Sequence, residues 1–312
     1  MPELRKKIDA LHHNIASVVL GKDDAIRLTL VALFAGGHLL LEDVPGIGKT
    51  LLARALAKSL SCDFRRIQFT SDLIPADITG GSLFDPTRQA FTFVPGPIFA
   101  NVLLADEINR TTPRTQSAML EAMSEHQVSC DGVSYTLPDP FMVIATENPI
   151  EFEGTYPLPE SQLDRFLLRT SIGYPDRSSE KAILESRQAG EPVEQLAEVI
   201  TLDEIRAIKA SVQEVRLTDE IRNYILDIIS ATRTCDELYV GVSPRGAIAL
   251  LRAAQSLALV EGRDYVIPDD VKRLAVPALA HRVIPKGFGR QEKRELVETL
   301  LRRLLDGIAV PG

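Results

Sequence analysis

The 312-residue sequence predicts an α/β fold, a largely parallel sheet between helices, followed by a smaller all-helical part. Three observations carry this. Strand-like and helix-like segments alternate up to about residue 175, the pattern of a parallel sheet with helices on its faces. A short apolar run, Leu39-Leu40-Leu41, leads through a glycine turn straight into a helix-forming stretch. Beyond Gly173-Tyr174-Pro175-Asp176 nearly everything has helical periodicity. The boundary is therefore expected near residue 176, dividing the chain into 1–176 and 177–312.

The candidate strands, in order, are His38–Glu42, Arg65–Thr70, Val102–Ala105, Phe141–Thr146 and Phe166–Ile172. Each is a short run rich in apolar or β-branched residues, as expected of strands covered on both faces. Two inserted stretches read as hairpins. In GSLFDPTRQAFTFVPGPIF the turn is at Asp85-Pro86, and in QVSCDGVSYTL it is at Asp131-Gly132, a strong two-residue hairpin signal. In the second part, Thr201-x-x-Glu204 reads as a capping box. Ser243-Pro244 and Ile267-Pro268-Asp269-Asp270 read as further helix starts.

Composition narrows the class. Hydrophobic content of 45% and charged content of 25% are those of a soluble globular protein. A net charge of −8 argues against duplex nucleic acid as the main partner. Cys62, Cys130 and Cys235 are few and unpatterned, so neither a disulfide framework nor a zinc site is indicated. His12, His13, His38, His126 and His281 have no metal-binding spacing and are expected to be surface or satisfied structural residues. The apolar stretch around Leu28 to Leu41 is interrupted by Gly36, Gly37 and His38, too broken to span a bilayer. No apolar signal region follows the basic N-terminal residues, and a cytoplasmic protein is expected.

The stretch HLLLEDVPGIGKTLLARALA supplies the second half of a phosphate-binding loop, Gly48-Lys49-Thr50, but Asp43 stands where that motif opens with glycine. Backbone N–H groups of Gly46, Ile47, Gly48, Lys49, Thr50 and Leu51 form the expected cradle. Lys49 is placed to reach β and γ oxygens, and the Thr50 hydroxyl to bind Mg²⁺. The alternative is an ordinary strand–turn–helix with a solvated lysine. The third candidate strand leads into Asp106-Glu107, where Asp106 can hold Mg²⁺ through water and Glu107 can polarise the attacking water, or the pair is an acidic loop after a strand. Asn148 follows the fourth candidate strand, placed to orient that water or to make a turn before Pro149. Arg165 precedes the last strand, where it can reach a neighbouring subunit's γ-phosphate or pair with Asp164 or Glu160. Arg245 lies in the first turn of a helix, an unfavourable place for a cation unless an anion binds nearby; otherwise it is a surface arginine.

In that order these residues resemble the AAA+ ATPases. The strings FANVLLADEINRTTPRTQSAMLEAMSE, PFMVIATENPIEFEGTYPLPESQLDRFL and GVSPRGAIALLRAAQ resemble the MoxR branch in particular, over most of the chain. The resemblance implies ATP and Mg²⁺ as cofactors, with Lys49 and Thr50 in Walker A and Asp106 and Glu107 in Walker B. It likewise makes Asn148 sensor 1, Arg165 an arginine finger and Arg245 sensor 2. Val19 and Gly21, in SVVLGKDDAI, match the segment that flanks the adenine. The helical part corresponds to a lid. It further implies a hexameric ring, hairpins that move with the nucleotide, and maturation of partner proteins alongside a von Willebrand factor A domain protein. Other expectations are the motor subunit of a metal chelatase, a nucleic-acid-directed AAA+ motor, and a scaffold that binds ATP without turnover. The insert reads RQAFTFVPGP and lacks the GAFTGA loop of transcriptional activators, and Glu107 and Arg165 are both present, which argues against the last two.

Overall fold

The computed structural model of the chain describes residues 2–87, 89–148, 154–187, 191–287 and 290–311. Helices α1 (Pro2–Ala16) and α2 (Asp23–Phe34) precede β1 (Leu39–Glu42), and α3 (Lys49–Leu60) leads to β2 (Phe64–Gln68). A short α4 (Pro75–Thr79) introduces the hairpin β3 (Gly80–Asp85) and β4 (Ala90–Pro95), then β5 (Val102–Asp106) and α5 (Pro113–Glu125). The second hairpin is β6 (Gln127–Cys130) and β7 (Val133–Thr136), followed by β8 (Met142–Glu147), α6 (Glu160–Leu163) and β9 (Leu168–Thr170). The remainder comprises α7 (Arg177–Arg187), α8 (Leu202–Glu214), α9 (Asp219–Thr234), β10 (Leu238–Val240), α10 (Pro244–Val260), α11 (Pro268–Leu279), β11 (Ile284–Pro285) and α12 (Arg290–Asp306).

Five strands form one sheet in the order β2-β5-β8-β1-β9, every neighbouring pair parallel. They correspond to the five expected strands, each end within two residues of expectation. Leu39 and Leu41 of β1 join Val102, Leu104, Met142 and Ile144 on one face, against α1, α2 and α3. Leu40 joins Leu103, Ala105, Val143 and Ala145 on the other, against Met119, Leu120 and Met123 of α5. All four β1 residues are buried, and the three leucines among them make the unbroken apolar run seen in the sequence.

The first of these cores continues without a break into the later helices, through Ile205, Tyr224, Leu250, Leu274 and Leu301. Helix α2 packs against α8 and α10, and the Ser256 hydroxyl donates to Val31 O at 2.9 Å. The segments on either side of residue 176 thus share one apolar interior. The helical part also departs from the all-helical expectation: β10 and β11 pair antiparallel, Leu238 opposite Pro285 and Val240 opposite Ile284. Two- and three-residue strands are too short to show a period of two in sequence.

The helix starts follow the caps. The Glu204 N–H donates to Thr201 Oγ1 at 3.3 Å while the Thr201 N–H donates to Glu204 at 2.8 Å. Ser243 caps α10 through the Gly246 N–H, and Asp270 accepts from the Ile267 N–H at 3.0 Å. In the second hairpin, Asp131 (φ 51°) and Gly132 (φ 78°) both take the left-handed conformation that an Asp-Gly turn supplies. Arg88, in the turn segment of the first hairpin, lies outside the described residues. The hairpins are joined by Phe93 stacked on Tyr135, ring centroids 3.9 Å apart, and Leu83, Phe84 and Phe91 remain exposed.

His38, just before β1, is buried and fully satisfied. Its Nδ1 accepts from the Val143 N–H at 3.0 Å, so Nε2 carries the proton and donates to Met123 O at 3.1 Å. Burial, partly opposed by the Met123 bond, pushes its pKa down to about 4. Burial also holds His281 well below the usual imidazole range. The unfolded chain binds protons at these positions from about pH 6.5 downward, whereas the folded chain does not. Stability is therefore fully present above about pH 6.5 and falls as the pH drops toward 4. For His38 the loss totals about 3 kcal/mol. Denaturant melts at pH 7 and pH 5 should show the loss, with a shallower pH slope in His38→Gln.

Candidate active site

Residues 43–48 curl between the end of β1 and the start of α3. Gly46 (φ 87°) and Gly48 (φ 101°) occupy backbone conformations that are strained for residues with a Cβ, and the space beside each is open. Gly48 is the N-cap of α3, and no side chain caps it. The first-turn N–H groups of a 12-residue helix therefore stand available, with the positive end of its dipole. Lys49 opens that helix, only 8% exposed, with Nζ donating to Asp43 O at 2.7 Å. Burial lowers its pKa, opposed by the negative charges of Asp106, Asp43 and Glu107. Thr50 lies in the same turn, half-buried, and Ile47 and Leu51 pack their side chains on the core.

Asp43 has a structural explanation. Its Oδ2 accepts from the N–H groups of Ile172 and Gly173, both at 2.7 Å, and Oδ1 accepts from the Val44 N–H at 3.1 Å. The side chain fastens the loop sideways to the segment after β9. The stretch Val19 to Lys22 meets the same segment: Lys22 Nζ donates to Tyr174 O at 2.6 Å, and a Cβ on Gly21 would collide with the Ser179 hydroxyl. Val19 itself is buried in the core.

The acidic pair stands at the end of β5. Asp106 is 8% exposed; Oδ1 accepts from Thr146 Oγ1 at 2.6 Å, and Oδ2 accepts from Arg66 Nε and Nη2 at 3.1 and 2.6 Å. Glu107 sits at φ 57°, ψ 50°, with its N–H donating to Thr146 Oγ1 at 2.8 Å. Its Oε2 accepts from Gln68 at 2.8 Å and from Arg110 at 3.1 Å. Asn148, 5% exposed, follows β8, whose Glu147 O accepts from the Asp43 N–H at 3.1 Å. Pro149, named with it in the sequence, lies outside the described residues. Parallel pairing thus brings Lys49, Thr50, Asp106, Glu107 and Asn148 to one edge of the sheet, beyond the strands' C-terminal ends.

The two remaining arginines lie at the opposite edge. Leu168, the first residue of β9, pairs with Leu39, the first of β1, so Arg165 precedes the N-terminal edge. The length of β1, about 13 Å at the rise of a parallel strand, separates that edge from the loop. Arg165 Nη1 donates to Leu120 O at 2.7 Å and to the Ser124 hydroxyl, while its Nε is buried without a partner. Exposed Arg245 pairs with Asp164 at 3.5 Å. Asp164 is in turn gripped by Arg282 Nε at 2.8 Å. Burial lowers the Arg282 pKa and Asp164 opposes the fall. Its guanidinium also binds the carbonyls of Asp164, Phe166 and Leu167.

Sequence reasoning missed Thr146, Arg66, Gln68 and Arg282, and named Asp164 only as a partner for Arg165, whereas it pairs with Arg245 and Arg282. Arg66 and Gln68 carried a signal, since polar residues alternate at the end of a candidate strand. Arg282 carried none.

A phosphate loop, a strand-end acid pair and a helical segment behind them define a P-loop nucleotide-binding protein of the AAA class. Residues 38–168 match the family model for ATPases associated with various cellular activities, and residues 230–300 match that for the AAA lid domain. The chain is 49% identical over 302 residues to the uncharacterized protein YeaC of Bacillus subtilis, covering 97% of this chain and 94% of that one. It is 38% identical over 306 residues to the chaperone MoxR1 of Mycobacterium tuberculosis, covering 95% and 80%. A crystal structure of a candidate ATPase from Cytophaga hutchinsonii superposes with a TM-score of 0.90 at 35% identity, covering 99% and 96%. The chain belongs to the MoxR family of AAA+ ATPases.

Asp43→Ala should leave the Ile172 and Gly173 N–H groups without a partner. Thermal melting should report a loss of about 1–3 kcal/mol, while ATP affinity should change by less than about tenfold.

Proposed function

We propose that this chain hydrolyses Mg·ATP at contacts between its own copies in a ring, hexameric as in the relatives it resembles, and uses the cycle to remodel partner proteins. One observation carries the reading: the phosphate loop and acid pair occupy one edge of the sheet, while Arg165 and Arg245 occupy the other. A strand's length from their own loop, those arginines are aligned to serve the nucleotide of a neighbouring copy.

A triphosphate fits the loop's open glycines, its uncapped helix start and its buried lysine. The backbone from Gly46 to Leu51 would hold the phosphates, Lys49 their β and γ oxygens, and Thr50 and Asp106 the magnesium. Magnesium held there would neutralise charge on the phosphate oxygens as the γ-phosphoryl group passes to water and ADP leaves. Glu107 accepts the proton of the attacking water, and Asn148 orients that water. Arg165 and Arg245 of the adjoining copy offset the charge that builds on the γ-phosphoryl oxygens. Val19 and Gly21 would flank the adenine, Gly21 lying against Ser179 in the segment after β9.

Residues 177–312 act as the lid, and the stacked hairpins present Leu83, Phe84 and Phe91 to the client. A von Willebrand factor A domain protein serves as adaptor, and the setting is the cytoplasm. Among the described residues no helix is long and apolar enough to cross a membrane. Likeness to a protein named a chaperone at 38% identity favours client remodelling over chelatase or nucleic-acid work, as does the net charge of −8 against the latter.

Lys49→Ala should abolish ATP binding measured by equilibrium dialysis; undiminished affinity would remove the loop from the reading. Arg165→Ala should bind ATP yet turn it over about 10³-fold more slowly. Mixing it with Glu107→Gln chains should restore part of the rate, because some interfaces then join two intact halves. No recovery in confirmed mixed rings would exclude action across the interface.

A further inference from the structure

Thr146 is wholly buried at the end of β8, between the phosphate loop and the acid pair. Its hydroxyl has one proton, and both of its bonds go to the two acidic residues. The proton goes to Asp106 Oδ1 at 2.6 Å, and the oxygen accepts the Glu107 N–H at 2.8 Å. The direction of both bonds is fixed, because an amide N–H can only donate and a carboxylate can only accept.

Each bond constrains something the chemistry needs. Glu107 is held at φ 57° and ψ 50°, a left-handed conformation costing a residue with a Cβ about 1–2 kcal/mol. The Thr146 bond anchors the amide at the centre of that turn, so the Glu107 side chain leaves the strand toward Gln68 and Arg110. Asp106 is gripped on Oδ1 by Thr146 and on Oδ2 by Arg66, which sets the plane of its carboxylate. Arg66 is roughly half exposed at its side chain, whereas Thr146 is wholly buried.

We propose that Thr146 is a positioning residue for both acids: its single hydroxyl aims Asp106 at the metal and Glu107 at the attacking water. The inference rests on the reading of this site as a Mg·ATPase. Glu107 and Asp106 then act as one unit through Thr146, so its loss degrades metal use and turnover together.

Thr146→Val keeps the branched shape and removes the hydroxyl; Thr146→Ser does the reverse. In Thr146→Val, kcat should fall by about 10–100-fold and the Mg²⁺ concentration for half-maximal rate should rise by about tenfold, as for partners that orient metal ligands. ATP binding in EDTA, which reads the loop without the metal, should stay within about twofold, and Thr146→Ser should recover most of the rate. Should Val not fold, Ala against Ser makes the same comparison, differing by one oxygen atom. A Val or Ala variant with unchanged kcat and Mg²⁺ dependence overturns the proposal, and so does a Ser variant as slow as the one lacking the hydroxyl. A wild-type chain with no Mg-dependent turnover would instead remove the ATPase reading itself.

Discussion

The parallel pairing of β1 between β8 and β9 is the constraint on which the site depends. Parallel strands share a direction, so whatever follows each strand emerges at the same edge. Here those followers are the glycine loop after β1, Asp106-Glu107 at the end of β5 and Asn148 after β8. The same directionality sends the residue preceding each strand to the far edge, which is where Arg165 lies. An antiparallel reversal at β8 would carry Asn148 away from the first grouping, and one at β9 would carry Arg165 away from the far edge. The leucines that bury β1 on both faces therefore fix the chemistry's geometry as well as the core.

Around that edge the charges are managed by proximity more than by exposure. Lys49 is buried, which works against its charge, and three negative residues support it. Asp106 and Glu107 are supported in turn by Arg66 and Arg110 from neighbouring segments. At the far edge Arg282 plays the corresponding part for Asp164, taken out of water and surrounded by carbonyls. Removing one partner from such a set leaves a buried charge uncompensated, which costs more than the pair contributes when whole.

The legible features were those written in consecutive residues. Leu39-Leu40-Leu41 declared a buried strand, Asp131-Gly132 a tight hairpin, and Thr201 with Glu204 a helix start. The arrival of Lys49, Thr50, Asp106, Glu107 and Asn148 at strand ends was legible for the same reason. The pairings that hold them were not. Asp43 meets Ile172 and Gly173, Thr146 meets Asp106 and Arg282 meets Asp164 only because the sheet brings distant segments together. No spacing along the chain records such contacts. Asp43 showed as a departure from a motif, and its reason lay in the other end of the α/β segment. The β10–β11 pair escaped because two residues cannot display an alternation.

The continuous core bears on how such a chain handles force. Helix α2 packs against α8 and α10 within the apolar mass that also backs the sheet. Prising these apart would wet the interface at roughly 2.5 kcal/mol for every 100 Å² of apolar surface exposed. Small tilts are inexpensive and wide openings are not. The packing therefore resists wide separation of the segments on either side of residue 176 while leaving small tilts of one against the other within reach. Severing it at residue 176 would yield two fragments, each with a greasy flank, rather than two free-standing modules.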